Sequence, residues 1–272
     1  MDLVKHTEVA DFRSRTAEAR RVKTRLRILE AAFDLFDQRG VDKVTVEDVR
    51  HAAKLSRGTF YNYFATYEAM LLSIAADISA QINREQSEFF DALPDLTLRL
   101  SLNMRYFITR IVSDRSCGEI LLRAGPLVGA LNEGMRRHVE AEIADAALQG
   151  VIEVPSIPVA IEFGYSIGTA MIRRAIGPAA DANDIEYASL MMLRAFGVGE
   201  AKASRAANAP LPAMPKATLR ELIFSRQERR SRDDRNPAAA DLDLRAAPPT
   251  PEARGRARKA PVRSVVAKAK RI

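Results

Sequence analysis

Tryptophan is absent from these 272 residues, cysteine occurs once and histidine three times. A lone cysteine, Cys117, excludes an intramolecular disulfide and suits a reducing compartment. Nothing near it in sequence lowers a thiol pKa, so a redox-sensing role is not favoured. His6, His51 and His138 lie far apart and make no His/Cys metal spacing. Neither a Ser-His-Asp pattern nor a glycine-rich phosphate loop accompanies them, which argues against an enzyme and implies no cofactor. Long hydrophobic runs are missing too. The most apolar stretch, Ile157 to Ile172, contains Glu162 and falls short of the roughly 20 residues that span a bilayer. The N-terminus has no apolar signal-peptide core. A soluble, cytoplasmic protein without a membrane partner is expected. No strand alternation and no internal repeat are visible, so the expected class is all-α.

What is present is unevenly charged. The net charge is +7, yet residues 1–66 carry +3, residues 67–199 carry −6 and residues 200–272 carry +10. Polyanion contact is therefore expected at the two ends, with a different task for the middle. Residues 1–20 read as a flexible arm. A first helix follows from about Arg21 to Arg39, with Ile28, Leu29, Ala32, Leu35 and Phe36 inward and Gly40 as its stop. Thr45 can cap a short helix on which Val46, Val49 and Ala53 form one stripe. Lys54-Leu55 breaks that stripe, and Ser56 can cap a second short helix carrying Phe60 and Phe64 inward. Two short helices across so tight a turn describe a helix-turn-helix, whose second helix enters the major groove. A plain helical hairpin with every aromatic in its core fits the same periodicity.

The residues upstream carry more information. Arg25, Ile28, Leu29, Ala31, Ala32, Leu35, Phe36, Arg39 and Gly40 run into Val44-Thr45-Val46, then Ser56-Arg57-Gly58-Thr59-Phe60-Tyr61-Asn62-Tyr63-Phe64. Over about 45 residues this resembles the DNA-binding domain of the TetR-like (tetracycline repressor-like) transcriptional regulators. Three positions depart from that pattern. Arg50 stands for a small residue, Lys54 for the turn glycine, and Tyr67 for the lysine that commonly follows the recognition helix.

The resemblance implies a helix-turn-helix domain at 21–66 and a helical ligand-binding and dimerisation domain at 67–199. From composition, residues 200–272 are expected to be a mostly disordered basic tail rich in Ala, Pro, Arg and Lys. An exception is Pro215 to Arg229, where Leu219, Leu222, Ile223 and Phe224 suit a docking helix. The expected function is sequence-specific transcriptional regulation, a repressor released from double-stranded operator DNA by a small-molecule effector of unknown identity. A helical interaction protein that has lost ligand control or specific DNA binding is the alternative. Arg57 and Asn62 are the expected base readers, since guanidinium and carboxamide groups pair with guanine and adenine edges. Thr45, Lys54, Thr59, Tyr61, Tyr63 and Tyr67 are expected on phosphates. Candidate effector-lining residues are Phe89, Phe90, Met104, Tyr106, Phe107, Cys117, Leu121, Leu122 and Phe163. A homodimer is expected through helices at 157–176 and 184–196, with Gly164, Gly168 and Ala170 allowing close approach and Ile161, Tyr165, Ile172, Leu190, Leu193 and Phe196 supplying contact area.

Overall fold

In the computed structural model the described residues are 2–124, 133–178, 180–181 and 183–233; the part of the expected basic tail beyond 233 lies outside them. They form α1 (Asp2–Arg39), a 3-10 turn (Val41–Lys43), α2 (Val46–Ala52), α3 (Arg57–Tyr61), α4 (Tyr67–Phe90), α5 (Leu96–Val112) and α6 (Arg115–Ala124). Then come α7 (Glu133–Leu148), α8 (Ile157–Ala175), α9 (Asp184–Ala195), α10 (Glu200–Ala207) and α11 (Leu219–Asp233). Among the described residues there is no strand. The all-α expectation holds.

Side-chain caps explain most of the breaks. The Asp95 carboxylate accepts from Thr97 N at 2.9 Å and Leu98 N at 3.3 Å and so starts α5; Thr66 Oγ1 accepts from Ala69 N at 3.0 Å and starts α4. Gly40 stops α1 at a φ of +79°, a conformation glycine adopts without steric cost. The start of α1 differs from the sequence reading: the helix begins at Asp2 rather than near Arg21. Residues 2–20 contain no glycine or proline, and Ala and Arg are their commonest residues, so nothing in them ends a helix that α1 has already nucleated.

Two cores hold the helices. One joins Ile28, Phe33 and Phe36 of α1, Val49 of α2, Phe60 of α3 and Ile74 and Ile78 of α4 to Cys117 and Ile120 of α6 and Leu219 of α11. The other gathers Leu96 and Leu100 of α5 with Ile143, Ile161, Leu193, Phe196 and Ala203 from α7 to α10. The expected boundary at 66/67 is thus a break in the chain and not in the core. The boundary at 199/200 also fails. Ala203, Ala206 and Ala207 of α10 are buried, as are Leu219, Ile223 and Phe224 of α11. Alanine-rich composition concealed α10, because its small residues bury little area each but pack closely against α5 and α9. The docking helix expected near 215–229 is α11, seated on α1 and α4.

Candidate nucleic-acid interface

The α2–α3 hairpin is built by local hydrogen bonds. Thr45 Oγ1 accepts from Asp48 N (3.3 Å), and the Asp48 carboxylate accepts from Thr45 N (2.9 Å) and from its hydroxyl (2.6 Å), a complete capping box. Those bonds hold the Asp48 carboxyl below the usual range, with a smaller contribution from Arg39. Ser56 Oγ caps α3 by accepting from Thr59 N at 3.0 Å. Between the helices, Lys54 takes a φ of +54°. The turn geometry that suits glycine is therefore kept by a lysine, whose ammonium stands exposed.

Phe60 and Phe64 point inward, with ring centroids 6.0 Å apart, and this phases the rest of α3 toward solvent. The Arg57 side chain is 73% exposed; its guanidinium lies 5.8 Å from the Tyr61 ring centroid and 4.0 Å from Glu47 Oε1. Glu47 is itself engaged by Arg50, which lowers its pKa. Asn62 is exposed at the C-cap of α3, and Tyr61 is exposed with its edge against Phe60. Lys54, Arg57, Tyr61 and Asn62 are thus all exposed on the turn and around α3. Thr59 and Tyr63 are half-buried beside it, the Thr59 hydroxyl 2.8 Å from Ser56 Oγ. Gly58 adds a feature the sequence reading passed over. A methyl group there would meet nothing within 4 Å, so its smallness serves no internal packing and leaves backbone open for close approach.

Two expected phosphate contacts are placed otherwise. The Tyr67 hydroxyl donates to Val41 O at 2.9 Å, and burial raises its pKa to about 12. Its only donor is spent tying α4 to the 3-10 turn. The Thr45 hydroxyl is likewise committed to Asp48.

The effector candidates separate into groups. Phe89, Phe90 and Tyr106 form an aromatic trio with centroids 5.6–5.9 Å apart. Met104 and Phe107 of α5 and Leu122 of α6 are half-buried, while Cys117 and Leu121 are buried between α4 and α6. Burial also pushes the Cys117 thiol well up, which makes it unreactive. Phe163 is misplaced: it is 43% exposed on the outer side of α8, beside Phe196. Two surface pockets, of about 350 Å³ near Asp37 and Glu119 and about 560 Å³ between Arg21 and Ala69, include none of these candidates.

The sequence reading also missed a set of buried polar side chains on α4, α5 and α7. Glu85 accepts from the Tyr106 hydroxyl (2.7 Å) and from Arg110 Nε (3.0 Å), while Arg110 Nη2 donates to Ala217 O at 2.8 Å. Gln86, Asn103 and Glu142 make a second such set with Arg99. Their signal was available: Gln86 lies four residues from both Ile82 and Phe90, inside an apolar stripe.

The outer faces of α8 and α9 carry exposed Val159 (64%), Tyr187 (58%) and Met191 (69%) together with Phe163. Gly164 and Gly168 on α8 have open space where a side chain would go. Ile161, Ile172, Leu193 and Phe196, expected as intersubunit contacts, are instead buried within the chain. These four side chains face the chain's own core, about half a turn from the exposed Val159 and Phe163 on α8 and Tyr187 and Met191 on α9.

A basic, solvent-facing second helix on a capped hairpin, followed by a larger helical domain, defines a helix-turn-helix protein. Residues 28–74 match the family described as bacterial regulatory proteins, tetR family. These residues are similar to a TetR-type DNA-binding domain. The uncharacterized HTH-type transcriptional regulator YuxN of Bacillus subtilis is 43% identical over 47 residues, covering 17% of this chain and 16% of YuxN. The HTH-type dhaKLM operon transcriptional activator DhaS of Lactococcus lactis is 32% identical over 75 residues, covering 27% and 40%. The chain thus spans less than half the length of these sequence relatives. Over longer stretches it has the fold of RolR: the complex with resorcinol superposes with a TM-score of 0.62 at 22% identity, over 72% of this chain and 98% of RolR. RolR without ligand gives 0.59 at 23% identity, over 69% and 98%. Among the described residues no helix is long and apolar enough to cross a membrane.

Proposed function

We propose that the protein is a homodimeric transcriptional repressor that binds a pseudo-palindromic operator and is released by a small molecule held in the helical domain. The observation that carries this reading is the exposed surface of α3, from which Arg57 and Asn62 both project unburied on a capped and buttressed hairpin. Arg57 reads guanine O6/N7 and Asn62 reads adenine N6/N7, while Lys54, Tyr61 and Tyr63 fix register on phosphates. Two such helices engage half-sites about one helical turn, roughly 34–36 Å, apart, which requires a dimer. The exposed Val159, Phe163, Tyr187 and Met191 on α8 and α9 supply its apolar surface, with Gly164 and Gly168 permitting close backbone approach. RolR, which has this fold, is known in complex with resorcinol.

The test is selection of bound duplexes from a random pool, followed by anisotropy titration of the enriched sequence. We expect two inverted half-sites and nanomolar affinity. Asn62→Ala is expected to weaken the enriched duplex at least tenfold more than random DNA; equal weakening of both would refute base reading by Asn62.

A further inference from the structure

Gln86 on α4, Asn103 on α5 and Glu142 on α7 are 3%, 9% and 5% exposed, and they are linked in series. Gln86 Nε2 donates to the backbone oxygen of Asn103 at 2.7 Å. Asn103 Nδ2 donates to both Glu142 oxygens, at 2.9 and 3.1 Å. Arg99 Nε reaches Glu142 Oε1 at 3.0 Å. This series fixes the sense of both amides, because turning either one would set an oxygen against an oxygen. Gln86 Oε1 and Asn103 Oδ1 are consequently held as acceptors, and neither has a donor. Asn83 Oδ1, one turn before Gln86 on α4, is a third buried oxygen without one. Buried polar atoms are nearly always hydrogen-bonded in folded proteins, so three unpaired acceptors on two helices that are themselves bonded through Gln86 and Asn103 call for an explanation.

The surroundings narrow what fits. Phe90 lies four residues beyond Gln86 and Tyr106 three beyond Asn103, which puts the Phe89–Phe90–Tyr106 trio on the next turn of the same two helices. The Tyr106 hydroxyl is already committed to Glu85, so this neighbour offers ring surface and no free donor. Phe89 is 39% exposed and brings the trio to the molecular surface. Glu142 is neutralised by Arg99, which leaves no net negative charge to hold a cation. An anion would bring further acceptors to a site that already has three without donors.

We propose that this cluster binds a small uncharged aromatic molecule with two hydroxyl groups, which donate to Gln86 Oε1 and Asn103 Oδ1 while the ring packs on the aromatic trio. The assignment rests on the effector reading above and names its ligand class. Acceptors fixed by other bonds reward donors and penalise their loss steeply, so the site distinguishes hydroxyl from ether on the same ring.

The experiment is isothermal titration of the full chain with resorcinol, catechol and hydroquinone, each against its dimethyl ether, which keeps the ring and oxygens and removes both donors. We expect saturable binding of at least one diol, one per protomer, and at least tenfold weaker binding of its ether. Gln86→Leu and Asn103→Leu, checked for folding by circular dichroism, are expected to weaken that diol at least tenfold. Ether binding equal to diol binding, or no binding by any diol, overturns the proposal without recourse to a variant. Unchanged binding by both folded variants overturns it as well. Operator affinity measured with the same diol separates the two readings. Binding of this kind that leaves operator affinity unchanged upholds the site and refutes release. Release by a compound indifferent to Gln86 and Asn103 upholds effector control and refutes this assignment.

Discussion

Lys54 offers a test in which stability and DNA affinity move in opposite directions. Its φ of +54° puts a Cβ-bearing residue in the left-handed region, at a cost of roughly 1–2 kcal/mol. Lys54→Gly removes that cost but adds backbone freedom to the unfolded chain, worth about 0.5–1 kcal/mol the other way. The net expectation is a gain of about 0.5–1 kcal/mol, which for a domain of this size raises Tm by roughly 1–4 °C. The same change removes an exposed ammonium from the face proposed to meet the operator. Each lost phosphate contact lowers the slope of log K against log salt by about 0.9, hence by about 2 for a dimer. Lys54→Ala separates the two effects, since it loses the charge and keeps the strained conformation. It is expected to show the flatter salt dependence without the gain in Tm. Calorimetry and anisotropy titrations between low and moderate salt read both quantities. If Tm falls in Lys54→Gly, the turn is not strained in the way its dihedral implies; if the salt slope is unchanged in both variants, Lys54 does not meet a phosphate.

Met191, 69% exposed on α9, tests the dimer: Met191→Glu is expected to shift sedimentation from dimer toward monomer, and an unchanged dimer would place the interface elsewhere. Arg220 on α11 reaches Asp34 (2.5 Å) and Asp37 (3.3 Å) and lies 5.7 Å from the Phe33 ring centroid; Arg220→Ala is expected to cost about 1 kcal/mol in denaturant unfolding and to speed hydrogen exchange in α11 before other helices. Tyr67→Phe removes the bond to Val41 O and is expected to cost about 1 kcal/mol near neutral pH. Because Tyr67 keeps its proton to about pH 12 when folded and to about 10.0 when unfolded, the native protein binds more protons between those values. Wild-type stability therefore falls as pH rises from 10 toward 12, and Tyr67→Phe is expected to show a shallower fall.

The hairpin was legible because it is local. Thr45 and Ser56 are capping residues at the two helix starts, and Phe60 and Phe64 have helical spacing, so short-range rules locate both helices and phase the second. Tyr67 misled for a related reason. Its position in the motif suggested a phosphate, whereas its hydroxyl bonds to Val41, 26 residues back in the chain. The same limit affected α8, which is apolar nearly all round. With Ile161 and Val159 both hydrophobic, periodicity does not reveal which of them faces the chain's own core. In α10 the buried residues are alanines, whose close packing registers weakly in composition. Long-range partners decided each of these cases.

Arginine shows how one residue type divides between the two halves of the fold. Arg57 is 73% exposed, with a loose 4.0 Å ion pair to Glu47 and the Tyr61 ring beside it, so it remains open to an outside partner. On α5 the three arginines are committed to partners within the chain. Arg99 is held by Glu142, Arg105 by Glu186 (2.8 Å) and Ala209 O (2.6 Å), and Arg110 by Glu85 and Ala217 O. Burying such pairs recovers little net stability, because desolvation offsets most of the Coulomb attraction. Their effect is geometric: the planar guanidinium accepts few arrangements, so two backbone carbonyls of the 208–218 segment are held along α5. That segment leads into α11, which Arg220 and Gln227 tie to α1 and α4; Gln227 bonds to Asp77 at 2.9 Å and accepts from Arg25 at 2.9 Å. A displacement of α5 by a ligand at Gln86 and Asn103 would thus act on the helix-turn-helix by two routes, through α4 directly and through α11. Both routes end at α1, the helix against which the recognition hairpin packs.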